Sequence, residues 1–455
     1  MCGIAGVVDF TGRPIDESLL LRMGEAIRHR GPDDQGFVRF PASPDPLKTQ
    51  AAAGLVSQRL SIIDLEGGHQ PISNEDKTVW TVLNGEIYNF QELREKLKMK
   101  GHLFTSRSDT EVIVHLYEER GEDFIKELDG MFSLALWDDQ RERLILARDR
   151  FGKKPLLYAD LGNRMLFASE FQALLLDPSI SRDMDLEALD YYLTYMAIPA
   201  PLSIYRVIRK VPPAHLLMSD RNGTTLQRYW SLNYSPKLKL SEGDAAEAIV
   251  DLLTAAVKKR LISEVPLGAF LSGGVDSSVV VALMTRLAGG PVKTFSIGFE
   301  EKGYSELPHA RRVAKEFGCD HHEFVVRAQA CDVLPTLVKH FGEPYADSSA
   351  IPTYYLSRLT RNHVTVALNG DGGDEVFAGY GRHLGNRISE YWYCLPSGMR
   401  LPFEKLALEL IPRSLKPFKF SARLRRFLLA SSLPGPERYE RWVGYFIIAT
   451  GTYHG

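Results

Sequence analysis

The stretch from Val265 to Arg286 constrains this chain more than any other. Val265-Pro266-Leu267-Gly268-Ala269-Phe270-Leu271 is short and apolar and reads as a buried strand. Ser278-Val279-Val280-Val281-Ala282-Leu283-Met284-Thr285-Arg286 fits a helix packed on that strand. Between them, Ser272-Gly273-Gly274-Val275-Asp276-Ser277 is small, hydroxylated and rich in glycine. Such a turn lets backbone amides and a helix N-terminus face a phosphate anion at close range. It lacks the Gly-Lys-Ser/Thr ending of a Walker A loop. Asp276 sits where that loop would carry a cation. A carboxylate beside phosphates is repulsive unless a divalent metal lies between them, so Asp276 reads as a Mg²⁺ ligand. The competing reading is an ordinary strand-to-helix turn with an N-capping Asp or Ser.

The pattern continues downstream. Val292 to Phe299 reads as a strand, Glu306 to Phe317 as a helix, Glu323 to Val326 as a strand and Val364 to Leu368 as another. Upstream, a helix is expected from Ser241 to about Leu261. Strand and helix in alternation argue for a parallel, doubly wound α/β sheet. Such sheets bind ligands beyond the carboxyl ends of their strands, which puts the Ser272 loop and the end of the Ile297 strand on one rim. After Leu368 comes Asn369-Gly370-Asp371-Gly372-Gly373-Asp374-Glu375. Alone, this acidic turn is more often just solvated. Beside the Ser272 loop it supplies a second metal-binding carboxylate.

Size and charge leave room for this reading. The 455 residues suffice for two or three domains with full cores. A net charge of −2 gives no reason to propose nucleic acid or a membrane surface as a partner. The four cysteines, Cys2, Cys319, Cys331 and Cys394, contain no CxxC pair and suggest neither a disulfide framework nor a zinc site. No apolar run is long enough to span a bilayer, and Asp9 interrupts the N-terminal apolar residues without a basic region before them. A reducing cytoplasm is expected.

Met1-Cys2-Gly3-Ile4-Ala5-Gly6-Val7-Val8-Asp9 reads as a strand starting almost at the terminus. Initiator Met is usually trimmed before a small residue. Cys2 would then carry its own base, because an α-amine has a pKa near ~8 and is partly neutral at pH 7. A small buried Cys at a strand start is the alternative. Four further segments bear on the choice: Arg28-His29-Arg30-Gly31-Pro32-Asp33, a compact basic turn; Arg59-Leu60-Ser61-Ile62-Ile63-Asp64, which alternates as a strand with a cation at its start; Asn84-Gly85-Glu86-Ile87-Tyr88-Asn89, a turn pair; and Ser106-Arg107-Ser108-Asp109-Thr110-Glu111, ahead of a helix from Val112 to Glu119. Met131 to Asp138 and Arg143 to Asp149 look like a strand pair, and Leu156 to Tyr158 and Met165 to Glu170 are expected to continue its sheet.

Together these segments resemble the N-terminal-nucleophile glutaminase domain of class II glutamine amidotransferases, over about residues 2 to 210. The resemblance implies an αββα sandwich. It implies that Cys2 attacks the glutamine side-chain amide, with Asn84 and the Gly85 amide forming an oxyanion hole. Arg59 and Asp109 would hold the α-carboxylate and α-ammonium of glutamine, and Asn84 and Glu86 share that pocket. Bidentate pairing suits Arg59 to a carboxylate.

The octapeptide Leu271 to Ser278 resembles the pyrophosphate loop of ATP pyrophosphatases, and with Asn369 to Glu375 it is similar to the synthetase domain of the glutamine-dependent asparagine synthetase family. That resemblance implies nucleotide contacts at Leu271, Ser272, Gly273, Gly274, Ser277, Ile297, Asn369 and Gly370. It implies Mg²⁺ on the pyrophosphate at Asp276 and Asp374, and help from Asp371 in forming a β-aspartyl-adenylate. Asn369 stands where the family commonly has Ser; a main-chain contact to adenine survives that change and a hydroxyl contact does not. The family continues past the end of this chain, through a helix with a Lys-x-x-Leu-Arg-like pattern. Lys405, Lys416 and Lys419 do not fit it. The expected organisation is a glutaminase domain at 2–211, a connecting segment at 212–240 and an ATP-pyrophosphatase domain at 241–455, incomplete at its C-terminus. The implied reaction makes ammonia from glutamine, adenylylates aspartate with Mg·ATP and amidates it to asparagine. Amidation of another carboxylate remains open, as does a glutaminase or nucleotide-binding module without synthetase activity. A homodimer is left open too.

Overall fold

The computed structural model describes residues 2–41, 50–299, 306–326, 330–411 and 420–444. Lys416, Lys419 and the chain's last residues, 447–455, lie outside them. The strands before residue 230 are β1 (Gly3–Asp9), β2 (Asp34–Phe40), β3 (Ala52–Arg59), β4 (Ile72–Ser73), β5 (Val79–Ile87), β6 (Gly130–Asp138), β7 (Arg143–Arg148), β8 (Leu157–Asp160), β9 (Arg164–Ala168), β10 (Ile208–Lys210), β11 (His215–Asp220) and β12 (Gly223–Arg228). They form two sheets, in the orders β10-β8-β9-β1-β3-β2 and β12-β11-β7-β6-β5-β4.

Strand alternation explains the layering. In β1, Ile4 and Val8 join Val82, Trp137, Leu146 and Leu217 in the core between the sheets. Ala5 and Val7 point the other way, to Leu20 and Met23 of the helix Glu17–Ala26. The outer face of the second sheet is covered by helices Phe90–Met99 and Val112–Arg120, whose Leu93, Leu97, Ile113 and Leu116 pack against Leu83, Leu134 and Ile145. Helix, sheet, sheet and helix are the αββα sandwich that the resemblance implies.

Two local expectations are corrected. β8 and β9 do not continue the sheet of β6 and β7; β9 pairs with β1 in the first sheet. Their apolar alternation specifies a half-buried strand but not its partner. The stretch after Arg59 is a loop and not a strand, because β3 ends at Arg59. The Arg59 guanidinium donates to the carbonyls of Ile63 and Asp64 at 2.8 and 2.7 Å, which pulls the chain back on itself, and Asp64 adopts φ 54°. The Asn222-Gly223 signal is met by the β11–β12 hairpin, in which Asp220 pairs with Gly223. Residues of the segment 212–240 thus supply two strands to the second sheet.

The later strands β13 (Leu267–Phe270), β14 (Lys293–Phe299), β15 (Asp320–Val326) and β16 (Val366–Leu368) form a parallel sheet in the order β15-β14-β13-β16. The helix Glu242–Arg260 leads into it, N-capped by Ser241, whose hydroxyl accepts from the Asp244 amide at 3.2 Å. Val257, Ala269, Leu271, Val281, Met284 and Ala310 make its core. The chain steps outward from β13 to β14 to β15 and then returns to the other side of β13 with β16. The sheet therefore has its switch point between β13 and β16.

The chain divides into two compact units, Met1–Leu189 with Ile198–Asn369, and Asp190–Ala197 with Gly370–Gly455. The first holds the sandwich and the parallel sheet. The second is helical among its described residues, with helices Gly381–Tyr393, Ser397–Leu410, Phe420–Ala430 and Gly435–Val443. Its centre includes Glu404, buried and accepting from Trp392 Nε1 and Ser431 Oγ at 2.5 and 2.9 Å. Among the described residues, no helix is long and apolar enough to cross a membrane.

Candidate active site

Cys2 immediately precedes β1, a central strand of the first sheet, and is buried. Its Sγ accepts from the Leu60 amide at 3.4 Å and faces the Leu60 carbonyl at 3.8 Å. Burial pushes the thiol above its ordinary value, against the pull of the Leu60 hydrogen bond and of Arg59. Among the described residues, no imidazole or carboxylate hydrogen-bonds the sulfur. The Cys2 carbonyl is held by Arg30 Nε at 3.0 Å, and Arg30 in turn pairs with the buried Glu170 at 2.7 Å. The basic turn at Arg28 to Asp33 thus positions the first residues of β1. Gly31 allows the approach: a Cβ there would lie 2.3 Å from the Gln58 carbonyl.

Cys2, Arg59, Gly85, Glu86 and Asp109 line one cavity of about 350 Å³, together with Lys154. Each arrives from a different place: Arg59 from the end of β3, Gly85 and Glu86 from β5, Asp109 from the loop before the helix Val112–Arg120. Gln70 ties three of these elements, accepting from the Leu83 amide at 2.7 Å and from Ser57, and donating to Thr110 at 3.2 Å. Arg59 is buried with its hydrogen bonds on carbonyls rather than carboxylates. Glu264 accepts from the Asp64 and Leu65 amides at 2.9 and 3.3 Å, so the loop that holds Arg59 is itself held by the segment leading into β13.

The electrostatics of the cavity are those of buried charge. Burial and then the Asp109 carboxylate push Glu86 up to about 7. Burial raises Asp109 to about 6, despite the Ile87 amide donating to it at 2.8 Å. Burial brings Lys154 down to about 8, against the attraction of Glu86. Gly85 has φ 151°, and a Cβ there would lie 2.0 Å from the Met131 carbonyl of β6, so its place in the sheet requires glycine. Asn84 is fully buried and is not among the cavity's lining residues. One end of its carboxamide lies 3.4 Å from the Ser133 hydroxyl, and the other has no hydrogen-bond partner.

Residues 271–278 form a second candidate site in the same unit. Gly274 caps the helix Val275–Leu287, and Asp276 lies half-buried in its first turn. The serines shape the turn: Ser272 Oγ meets Ser277 Oγ at 2.9 Å and accepts from the Gly274 amide at 3.2 Å, while Ser278 Oγ donates to the Gly274 carbonyl at 2.7 Å. Gly273 has φ 82°, and a Cβ on it would lie 2.5 Å from the backbone at His309 and Ala310. Leu271 is buried and donates its amide to Phe295 at 2.9 Å, with the Ser296 hydroxyl on its carbonyl. Ile297, two residues further along β14, is half-buried. The Ser272 turn and Ile297 thus share the carboxyl rim of the parallel sheet. Asn369 follows β16 and lines the Cys2 cavity with Thr365, Val366 and Ala367. That extension of the cavity to the switch-point strand is absent from any local sequence pattern.

In the second unit, Gly370 accepts from the Gly373 amide at 3.3 Å, and Gly372 takes φ 96°. Asp374, half-buried, lies in the first turn of the short helix Gly373–Phe377, and its carboxylate leaves no room for a Cβ on Gly379. Asp371 is exposed.

Two functional groups escaped the sequence reading: Lys154 and the Arg30–Glu170 pair. The signal for Lys154 was Phe151-Gly152-Lys153-Lys154-Pro155, a cationic turn between two strands. Nothing local marks Glu170 as the partner of a residue 140 positions earlier.

Comparison with known proteins fits this geometry. Residues 1–230 match the family model of the glutamine amidotransferase domain, and residues 248–452 match that of asparagine synthase. The chain is 37% identical to the putative asparagine synthetase [glutamine-hydrolyzing] 2 of Methanocaldococcus jannaschii over 434 residues, covering 90% of this chain and 81% of that one. The chain belongs to the glutamine-hydrolysing asparagine synthetase family. It is also 36% identical to asparagine synthetase [glutamine-hydrolyzing] 1 of Bacillus subtilis, over 88% of this chain. It is 35% identical to the asparagine synthetase [glutamine-hydrolyzing] of Zea mays, over 84%. The chain spans 62% of the length of the Bacillus protein and 60% of that from Zea mays.

Proposed function

We propose that this chain carries out glutamine-dependent asparagine synthesis, in a glutaminase domain at 2–211, a connecting segment at 212–240 that also adds β11 and β12 to the second sheet, and an ATP-pyrophosphatase domain at 241–455. The observation that carries the reading is the cavity shared by Cys2, Arg59, Gly85, Glu86 and Asp109. In it, Cys2 attacks the glutamine side-chain amide. With no side-chain base on the sulfur among the described residues, the proton goes to the α-amine that trimming of Met1 exposes on Cys2 itself. The Gly85 amide, on the cavity wall, stabilises the tetrahedral oxyanion, whose charge develops only after attack; Asn84, which does not line the cavity, is assigned to the oxyanion hole on the resemblance alone. Arg59 and Asp109 orient the α-carboxylate and α-ammonium of glutamine; the Cys2 α-amine returns its proton to the departing nitrogen, ammonia leaves, and water hydrolyses the resulting Cys2 thioester to glutamate.

The second half-reaction belongs to the Ser272 turn and the rim of the parallel sheet. Aspartate is a poor electrophile because its leaving group would be oxide; adenylylation replaces that with AMP and releases pyrophosphate. The crowding at Gly273 and the half-buried Asp276 in a helix's first turn fit a pyrophosphate with its cation. Asp276 is assigned to Mg²⁺, which when bound neutralises phosphate charge. Leu271, Ile297 and Asn369 are assigned to the nucleotide, and Gly370, Asp371 and Asp374 keep the roles that the resemblance implies. A cytoplasmic setting suits a free thiol nucleophile.

The test is formation of pyrophosphate and asparagine from aspartate and Mg·ATP, first with ammonia and then with glutamine. Asparagine from both nitrogen sources supports the reading. Glutaminase without pyrophosphate release refutes the synthetase half, and a screen of other carboxylates follows.

A further inference from the structure

Away from both candidate sites, the second sheet and its covering helix assemble a compact group of imidazoles and carboxylates. His115 and Glu118 project from one face of the helix Val112–Arg120, three residues apart. Glu75 comes from the turn between β4 and β5, and His102 from the loop that follows the helix Phe90–Met99. Ligand atoms of these four residues all lie within 4.8 Å of one another. His115 is fully buried, His102 half-buried.

The orientation of the rings is what distinguishes this group from a scatter of surface charges. Both histidines turn Nδ1 to the same place. His115 Nδ1 lies 3.4 Å from Glu75 and 3.2 Å from Glu118; His102 Nδ1 lies 3.6 Å from Glu75 and 3.7 Å from Glu118. Metal–ligand bonds of about 2.0–2.1 Å in a tetrahedral zinc site separate neighbouring ligand atoms by about 3.3–3.4 Å, which matches this spacing. His102 also turns Nε2 to a further carboxylate, Glu119, at 3.2 Å, while His115 Nε2 faces Glu111 at 3.9 Å, beyond hydrogen-bond distance. Imidazoles that bind metal through one nitrogen are regularly oriented this way through the other. The carboxylates are held as well. Glu118 accepts from Asn74 Nδ2 at 2.8 Å, Glu75 from the Leu103 amide at 2.8 Å, and Glu111 from Thr105 and Ser106.

Charge points the same way. Four carboxylates, Glu75, Glu111, Glu118 and Glu119, surround two imidazoles. Among the described residues, Lys100 is the non-histidine cation paired with the group, through Glu119. We infer that Glu75, His102, His115 and Glu118 form a four-coordinate site for a divalent transition ion, with zinc as the best match to two imidazoles and two carboxylates. Glu119 acts as a positioning residue on the His102 ring. The ion would pin the turn at Glu75 and the loop at His102 to the helix that follows Asp109, and so fix one side of the Cys2 cavity.

The test is a Co²⁺ titration of the chelator-stripped full chain carrying Cys2→Ala, in excess Mg²⁺ so that oxygen-only sites are filled. The expected result is one equivalent of visible absorption typical of four-coordinate Co²⁺, bleached by Zn²⁺. His102→Gln and Glu118→Gln should each weaken binding by at least about tenfold, and Glu119→Gln by about tenfold or more. Zn²⁺ should raise the unfolding temperature of the parent and leave that of His102→Gln unmoved. Absence of the absorption, or absorption of equal strength in His102→Gln, overturns the site. His102 lies in a loop, so a folded variant is expected; equal metal-free unfolding temperatures for parent and variant check that.

Discussion

Glu86 gives the sharpest test of how the Cys2 cavity handles charge. Its carboxyl is pushed from 4.5 up to about 7, by burial first and by Asp109 second. The folded chain therefore holds this proton more tightly than the unfolded chain does. Stability is unaffected by Glu86 well below pH 4.5, where both states are protonated. It falls as pH rises through the window from 4.5 to about 7, and the full loss is reached above that. With these two values, linkage gives a loss of about 2.5 kcal/mol between pH 5 and pH 8. Glu86→Gln keeps the shape and removes the ionisation. The urea midpoint of the variant, compared with the parent at pH 5, 6, 7 and 8, reads the contribution of this group together with its coupling to Asp109 and Lys154. The variant's relative stability should climb by about 2.5 kcal/mol across that range, as an order of magnitude. A difference that stays flat with pH, or that narrows as pH rises, would refute the buried-charge account of the cavity.

Cys2→Ala should abolish ammonia release from glutamine while leaving ammonia-dependent synthesis; retained glutaminase would rule Cys2 out as the nucleophile. Asp276→Asn should remove pyrophosphate release without touching glutaminase, as read by parallel assays of the two activities. Gly85→Ala places a Cβ 2.0 Å from the Met131 carbonyl. It should cost on the order of 1–3 kcal/mol through backbone strain and lower glutaminase activity, measured by thermal unfolding and ammonia release.

What the sequence disclosed follows from how locally each feature is encoded. The parallel sheet was legible because each strand and helix announces itself by period, and the Ser272 turn because its glycines and serines do their work within eight residues. Gly273 is needed where the turn meets His309 and Ala310, and the glycine itself was visible though its neighbours were not. Strand partnership was not legible. β8 and β9 carry the same alternation whichever sheet they join, and only pairing with β1 decides it. Arg59 was legible as a cation but not as the end of a strand, because the loop that receives it is defined by carbonyls that any sequence possesses. Lys154 and Glu170 were missed because a buried charge is recognised by what surrounds it, and the charged partners that mark them, Glu86 and Arg30, lie more than sixty positions away.

The cavity's electrostatics bear on the proposed reaction in a way that neither half-site does alone. Burial raises Glu86 and Asp109 and lowers Lys154, so the space they line disfavours charge of either sign. Ammonium is a small cation with the same desolvation penalty as a lysine head group. A space that brings Lys154 down to about 8 should lower the pKa of ammonium as well, and hold more of the nitrogen as neutral, nucleophilic ammonia than water would at the same pH. The same cavity reaches Thr365, Val366, Ala367 and Asn369, around the strand at the switch point of the parallel sheet. Under the proposed reaction, nitrogen released at Cys2 would enter a space that favours its neutral form and that reaches β16 of the parallel sheet.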